Sequence, residues 1–255
     1  MKTIAIVNLK GGVAKTATSV NLGYDLATHY SKRVLVVDAD QNMGATGLLL
    51  EPERNRNTLT ALITGIEDYP YDLIYETRYP GLQIIPADEE LATYGTDAFT
   101  TGKCRPSAIC DLSIALAEDD AFDYVIIDSA PGMAAPMVCT VAAADEIIIP
   151  LNLDSYSLSG MRSLLAQIDS VRSIRPDVRV AGAVVTMLRA DKDTDADLEE
   201  LRKNSTVHMF DPIRWSPVVR SRTRGGGIIM EASPHCSASL DYKAFTNALF
   251  ERGVL

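Results

Sequence analysis

The sequence predicts an α/β protein with a doubly wound, mostly parallel sheet that has helices on both faces. Short runs of consecutive apolar, largely β-branched residues alternate with stretches whose apolar residues recur every three or four positions. The short runs are typical of strands buried on both sides of a parallel sheet, and the longer period is that of an amphipathic helix. Because neither an internal repeat nor a linker interrupts this alternation, we predict one domain over residues 1–255.

Each predicted element follows from its own pattern. The predicted strands are residues 3–8, 33–40, 82–87, 124–131, 146–152 and 180–188. A helix after the first strand would bury Val20, Leu22, Gly23 and Leu26. A second helix over 157–174 would bury Leu158, Met161, Leu164, Leu165, Ile168, Val171 and Ile174. Residues 51–80, rich in proline, tyrosine and charge, are predicted to be irregular.

The composition limits the possible partners. With 24 Lys and Arg against 34 Asp and Glu, the net charge is −10, so binding to nucleic acid would need a local basic patch. The four cysteines (Cys104, Cys110, Cys139 and Cys236) form no C-x-x-C pair, which indicates reduced thiols. The apolar stretch at the N-terminus is too short for a signal-peptide core, and no run approaches the roughly 20 apolar residues of a membrane span. We therefore expect a cytoplasmic protein.

A glycine-rich segment, "NLKGGVAKTATS" (8–19), joins the first predicted strand to the first predicted helix. Gly11 and Gly12 would let the backbone approach phosphate oxygens, and the helix N-terminus would add partial positive charge. Lys15 would reach the β- and γ-phosphates, and the Thr16 hydroxyl would bind Mg²⁺. The strict G-x-x-x-x-G-K-[ST] pattern fails at both glycines, so a plain turn with solvated lysines is the alternative.

Carboxylates end two of the predicted strands. Asp128 ends "YVIIDSAP", and Asp38 and Asp40 end "RVLVVDAD". A phosphate-binding loop needs such a carboxylate on a neighbouring strand to hold the water shell of its metal ion. Either strand alone could end in a turn or capping residue. Two such strands after this loop are hard to explain by capping.

The motifs in this order resemble those of the ParA/MinD family of deviant Walker A ATPases. "KGGVAKTA" (10–17) is similar to the family loop K-G-G-x-G-K-T-[T/S], with its two lysines. "DADQN" (38–42) is similar to D-x-D-P-Q, and "DSAP" (128–131) to D-x-x-P. Residues 147–165 and 213–245 also look like the corresponding parts of the family. The resemblance therefore covers nearly the whole chain.

The resemblance implies a P-loop NTPase that binds ATP and Mg²⁺ and hydrolyses ATP slowly without a partner protein. Lys10, Lys15 and Asp40 would be catalytic: Lys10 would reach across a homodimer to the partner's phosphates, and Asp40 would position the attacking water. Thr16, Asp38 and Asp128 would hold Mg²⁺, Asp38 through the water shell. The nucleotide-binding residues would be Lys10, Gly11, Gly12, Val13, Ala14, Lys15, Thr16 and Ala17.

Three departures from the family pattern affect this interpretation. Ala14 replaces a glycine, and its methyl group is tolerated only at negative φ. Ala17 replaces a hydroxyl residue that helps to hold the α-phosphate, which predicts weaker nucleotide binding. The proline after Asp40 is missing, which predicts a change in the segment that follows.

Within the family, a ParA-type partition ATPase for plasmids or chromosomes is favoured. Such a protein would bind double-stranded DNA nonspecifically as an ATP dimer, associate with the nucleoid in that state, and respond to a ParB-like centromere-binding protein. Arg214, Arg220, Arg222 and Arg224 fall within eleven residues without an acid and are the candidate DNA-binding patch. A short helix capped by Ser216, with Pro217 first and Gly225 just past its end, would place Arg220 and Arg224 on one face, and arginines that only complement its dipole are the alternative.

The sequence gives less support to two other functions found in the family. A MinD-like ATPase that positions protein cargo or cycles on a membrane would need a basic amphipathic C-terminal helix. The end of the chain has only Lys243 and Arg252 as cations, beside Asp241 and Glu251, so we expect a packed terminal helix and no membrane. A redox protein like the nitrogenase iron protein would need cysteines at a dimer axis, and the spacing of Cys139 from Asp128 does not match.

Overall fold

An eight-stranded sheet forms the centre of the protein. The computed structural model describes residues 1–51, 56–93, 105, 107–132, 135–154, 156–189, 193–217 and 227–255. The strands are β1 (Lys2–Ile6), β2 (Val34–Ala39), β3 (Tyr75–Glu76), β4 (Leu82–Ile85), β5 (Tyr124–Ser129), β6 (Glu146–Leu151), β7 (Arg179–Val185) and β8 (Met209–Phe210). They lie in the order β3-β4-β2-β5-β1-β6-β7-β8, and each pair of neighbours is parallel except β3 and β4.

Helices cover both faces of this sheet. They are α1 (Lys15–His29), α2 (Gly44–Leu49), α3 (Leu59–Thr64), α4 (Ala108–Glu118), α5 (Ala135–Ala143), α6 (Ser157–Arg172), α7 (Thr194–Asn204), α8 (Ile229–Ala232) and α9 (Ser237–Glu251), with a 3₁₀ turn at Pro70–Leu73. Ile4 and Ile6 of β1 join the core beneath α1 and α9, whereas Ala5 of β1 and Val7 just after it join the core beneath α5 and α6. Burial of alternate side chains on both faces explains why the strand sequences are continuously apolar.

The structure confirms the predicted doubly wound sheet and each of the six predicted strands, which are slightly shorter than predicted at their C-terminal ends. Two expectations were wrong. Residues 51–80 are not wholly irregular, because α3, the 3₁₀ turn and β3 lie there. Ile174 is not in the core: α6 ends before it, and it is 82% exposed.

The C-terminal helix α9 packs on α1, as expected for an ordinary terminal helix. Phe245 and Leu249 are buried in the core, and the hydroxyls of Tyr242 and Thr18 lie 3.3 Å apart. Among the described residues, no helix combines the length and apolar character needed to cross a membrane.

The topology brings the carboxyl ends of β1, β2 and β5 together, since β5 lies between the other two. The Cα atoms of Asp38 and Asp128 are partners in the β2–β5 register. The glycine-rich loop leaves β1 at the same edge and runs into α1. The predicted loop and both predicted carboxylate positions therefore meet at one edge of the sheet.

The backbone at the start of α1 differs from the expectation that Ala14 has a negative φ. Ala14, the residue before the helix, has φ 60° and ψ 32°, in the left-handed region. The requirement that its methyl group sits at negative φ is therefore not met. An L-residue in this region costs about 1 kcal/mol relative to glycine, so the loop holds Ala14 in a strained conformation.

We predict that Ala14→Gly stabilises the nucleotide-free protein by up to about 1 kcal/mol, because glycine adopts this conformation without steric cost. The measurement is the free energy of unfolding from urea titrations. Gly253→Ala is the reverse control, since Gly253 has φ 67° and a Cβ there would have no atom within 4 Å. Gly253→Ala should lower the free energy of unfolding by a similar amount. If Ala14→Gly is less stable than the wild type, Ala14 is not strained.

Candidate nucleotide-binding site

The glycine-rich loop is held by the ends of strands on both sides of β1. The backbone N–H of Gly132, after β5, donates to the carbonyl of Leu9 at 2.9 Å. The Thr186 hydroxyl, after β7, donates to the carbonyl of Val13 at 3.1 Å. These contacts fix the loop before any ligand binds.

The N-terminus of α1 is suited to an anion. The helix begins at Lys15 with no side-chain cap and no acidic residue in its first turn. The first backbone N–H groups of a helix have no carbonyl partner within it, and they sit at the positive end of its dipole. Uncapped in this way, the helix start can donate to phosphate oxygens.

The two lysines of the loop have opposite environments. Lys15 is only 6% exposed, and its Nζ donates to the Lys10 carbonyl at 3.2 Å. Burial lowers the pKa of Lys15, while the charges of Asp128 and Asp40 oppose that shift. The Lys10 side chain is 53% exposed and forms an ion pair with Asp154, which follows β6. Lys15 therefore faces the carboxylates of its own site, and Lys10 faces outward.

Asp128 has an incomplete set of partners. It is fully buried, and its Oδ1 accepts a hydrogen bond from the Ser19 hydroxyl at 3.0 Å. Its Oδ2 is buried without a hydrogen-bond partner in the described part of the chain. Burial, reinforced by the negative charge of Asp38, raises the pKa of Asp128 to about 8. An orphaned carboxylate oxygen at this place fits a metal ion.

Asp38 is also fully buried, but its oxygens are engaged. Oδ2 accepts from both the backbone N–H and the hydroxyl of Thr46, each at 2.8 Å, and Oδ1 accepts from the Asp40 N–H at 3.1 Å. Burial raises the pKa of Asp38 to about 6. The Thr46 bonds fix the Asp38 carboxylate, which suits a role in binding the water shell of a metal rather than the metal itself.

Thr16 lies next to Asp128, and a hydrogen bond from its side chain opposes the rise in the pKa of that carboxyl. A Cβ on Gly44, at the start of α2, would come within 2.9 Å of the Thr16 Oγ1. Within the residues described, no cluster of three or more His, Cys, Asp or Glu side chains could hold a metal. A hydroxyl and one or two carboxylates are nevertheless what Mg²⁺ uses when phosphate oxygens and water complete its shell.

Asp40 is oriented by the segment that lacks the family proline. The backbone N–H and the side-chain amide of Asn42 donate to Oδ1 of Asp40, at 2.9 and 2.8 Å. Met43 then turns the chain with φ 53° into α2. A side-chain-stabilised turn therefore stands where the family has proline.

An apolar cavity of about 380 Å³ adjoins the loop. Gly12, Ala14 and Ala17 line it on the loop side. Met187, Ile213 and Trp215 line it on the side of β7 and of the segment after β8.

The structure brings together the predicted loop residues, Asp38, Asp40 and Asp128, and Arg214 lines the cavity beside the loop. The Arg214 guanidinium donates to both carboxylate oxygens of Asp241, at 2.9 and 2.7 Å, so an acid distant in sequence pairs with it. Arg220, Arg222 and Arg224 lie outside the described residues, as does the predicted helix beyond Pro217.

Sequence reasoning missed several residues that shape the site: Ser19, Thr46, Asp154, Thr186 and Trp215. Their contacts join distant parts of the chain, as in the pair of Lys10 with Asp154. Only the helical position of Ser19, four residues after Lys15, could have suggested that it shares a face with the phosphate lysine.

The comparisons with known proteins agree with this geometry. A family model described as an AAA domain matches residues 1–180. The chain is 34% identical to the chromosome partitioning protein ParA of Caulobacter vibrioides, over 87% of this chain and 81% of that protein. An ATP complex of a Cyanothece McdA variant superposes with a TM-score of 0.84 at 25% identity, covering 98% of this chain and 96% of the other.

The septum site-determining protein MinD of Pyrococcus horikoshii, solved with Mg-ADP, has a TM-score of 0.80 at 21% identity, over 97% and 95% of the two chains, and shares the fold. The match to ParA spans most of both sequences, and the family model matches more than half of this chain. The chain belongs to the ParA/MinD family of P-loop ATPases.

Proposed function

We propose that this protein is an ATP-dependent dimerising ATPase of the ParA type, which acts in plasmid or chromosome partition. It binds DNA nonspecifically in the ATP state and releases it on hydrolysis. The observation that carries the proposal is the division between the two lysines: Lys15 is buried against its own carboxylates, whereas Lys10 is exposed on the outside of the same loop.

ATP would lie with its phosphates on the backbone of residues 10–17 and against Lys15. Thr16 and Asp128 would hold Mg²⁺, with Asp38 acting through its water shell; the bound ion would supply charge neutralisation at the phosphates. Asn42 holds one oxygen of Asp40, and the other would orient the attacking water. The Cyanothece McdA structure, which contains ATP, supports this assignment.

Lys10 would complete the site of a second subunit. Its pair with Asp154 is largely exposed, and such pairs contribute only about 0–1 kcal/mol. ATP carries about four negative charges, which Mg²⁺ and one lysine leave partly uncompensated. Lys10 can therefore exchange Asp154 for the partner's phosphates at small cost, and ATP would join the two subunits.

DNA binding and a ParB-like centromere-binding partner rest on the likeness to the chromosome partitioning protein ParA. Because Arg214 is paired with Asp241, Arg220, Arg222 and Arg224 are the stronger candidates for phosphate contacts. The protein would then be cytoplasmic and associate with the nucleoid when ATP is bound.

A MinD-like role in positioning protein cargo or cycling on a membrane is the alternative. McdA and MinD share this fold, but Phe245 and Leu249 of α9 are used in packing against the core. To lie on a membrane, α9 itself would have to leave the core, so this helix gives the membrane role no support.

The first test separates the two lysines. Lys10→Ala should remain monomeric with ATP and keep weak ATP binding, whereas Lys15→Ala should lose ATP binding, because only the buried lysine compensates its own site. Light scattering gives the dimer and calorimetry gives ATP binding. Lys243→Ala, an exposed lysine on α9, is the matched control. A Lys10→Ala dimer as stable as the wild-type dimer would refute the assignment.

The second test concerns Mg²⁺. Asp128→Asn keeps the shape of the side chain and should remove the Mg²⁺ dependence of ATP binding, measured by calorimetry with and without EDTA. The variant should not lower the stability of the metal-free protein. The raised pKa of Asp128 means that its charged form destabilises the native state, and asparagine carries no charge. Wild-type stability should therefore fall as pH rises from about 4 to about 8, by at least about 1 kcal/mol, and the variant should show a flatter profile. If ATP binding by the variant depends on Mg²⁺ as it does in the wild type, Asp128 is not a metal ligand.

The third test concerns DNA. Arg220→Ala with Arg224→Ala should weaken binding to a random duplex and flatten its salt dependence, because each phosphate contact contributes roughly −0.9 to the log–log slope. ATP-dependent dimers should bind far more tightly than ADP-bound protein, by avidity. Fluorescence anisotropy across a salt series measures both effects.

The control for this test is Arg162→Ala with Lys243→Ala, which removes two exposed cations from other helices. It should leave binding nearly unchanged. Equal binding with ATP and ADP, or equal losses in both double variants, would favour the cargo or membrane role.

A further inference from the structure

The proposed ATP site accounts for the phosphates but leaves the base without an assigned position. The apolar cavity of about 380 Å³ begins at Gly12, Ala14 and Ala17, where the phosphates would lie. It extends toward Met187 and Trp215. A nucleotide held by the loop has this cavity within reach of its base, and apolar concave sites of this size suit flat aromatic ligands.

Trp215 is the single tryptophan of the chain, and it is partly buried. It lines the cavity and also two more open grooves, of about 450 and 640 Å³. Arg189 lines both grooves but not the cavity, and its guanidinium carbon lies 4.3 Å from the centre of the Trp215 ring. The ring thus has a cation on its groove side and the cavity beside it.

Backbone hydrogen bonds fix the main chain that carries the Trp215 ring. The N–H of Trp215 donates to the Leu188 carbonyl at 2.8 Å, and the N–H of Leu188 donates to the Ile213 carbonyl at 3.0 Å. These bonds join the segment after β8 to the segment after β7. Arg189, next to Leu188, is therefore placed over Trp215 by the same ladder.

The polar side chains around the cavity are engaged elsewhere. The Thr186 hydroxyl donates to the Val13 carbonyl, the Tyr242 and Thr18 hydroxyls lie 3.3 Å apart, and Arg214 is paired with Asp241. What these walls offer a ligand is apolar and aromatic surface. Binding by stacking fits such a cavity better than hydrogen-bond recognition by side chains.

On the basis of the proposed ATP site, we propose that Trp215 is the residue on which the nucleobase stacks, and that Arg189 positions its ring from the groove side. Trp215 would contact the ligand directly. Arg189 would act through the ring, by a cation–π interaction that holds the indole in place.

The wild-type protein provides the first measurement, because its tryptophan emission comes from Trp215 alone. ATP should change this emission on binding. Inorganic tripolyphosphate, which has no base, should compete with ATP for the loop but leave the emission nearly unchanged. If both ligands change the emission equally, the stacking proposal is wrong.

Affinities measured by calorimetry provide the second measurement. Trp215→Ala should raise the Kd for ATP roughly tenfold, equivalent to about 1.4 kcal/mol and within the range for base–aromatic stacking, and should leave the Kd for tripolyphosphate unchanged. Trp215→Phe should recover most of the loss. Arg189→Ala should have a smaller effect on ATP and increase acrylamide quenching of Trp215, and Arg189→Lys should restore both.

The outcomes distinguish this inference from the proposed function. If wild-type protein binds neither ATP nor tripolyphosphate, the ATP site itself is wrong. If ATP binds but Trp215→Ala keeps wild-type affinity, the loop assignment stands and the stacking role is refuted. Should Trp215→Ala fail to fold, the comparison of ATP with tripolyphosphate in wild-type protein and the Trp215→Phe affinity decide the question.

Discussion

The buried pairing of Asp38 with Asp128 is the constraint on which the rest of the site depends. Both carboxylates are fully buried at partnered positions of neighbouring strands, and burial together with the charge of Asp38 raises the pKa of Asp128. Without a cation, two charges this close are costly in a protein interior. Hydroxyls from Thr46 and Ser19 satisfy part of the pair, and Oδ2 of Asp128 is left for a ligand. The site is therefore completed by binding rather than by folding.

Lys15 alone cannot balance the negative charge of this site. Its ammonium is itself desolvated, which lowers its pKa, and it faces Asp128 and Asp40 as well as any phosphate. Adding a nucleotide brings further negative charge to the same place. A divalent cation and a second lysine from another subunit are the natural complements, and Lys10 is the loop cation that remains outside. The placement of one lysine inward and one outward thus has an electrostatic reason.

The sequence predicted those parts of the fold in which burial determines residue type. Strands β2, β5 and β6 are buried at every position, so their apolar runs could be recognised. The edge strands β3 and β8 have two residues each, too few to show any period. The left-handed backbone of Ala14 could not be foreseen, because the neighbours of a non-glycine residue, and not its type, impose such a conformation.

Contacts between residues distant in sequence were the other feature that the sequence could not predict. The motif letters identified the loop and the strand-end carboxylates, but they could not show that Thr46 holds Asp38 or that Asp154 holds Lys10. Hydrogen bonds between elements depend on the packing of the whole sheet. For the same reason Arg214 looked unpaired in the sequence, although Asp241 of α9 pairs with it in the structure.

The pairing of Arg214 with Asp241 links the segment after β8 to α9 beside the nucleotide site. Its side chain and backbone N–H both bind Asp241 of α9, and the next residue is Trp215. On the same helix Tyr242 lies against Thr18 of α1, which starts at the phosphate lysine. The terminal helix therefore connects the cavity beside Trp215 to the helix that follows the loop. The C-terminal elements therefore form part of the framework around the loop, and Arg214 contributes to that framework through its pair with Asp241.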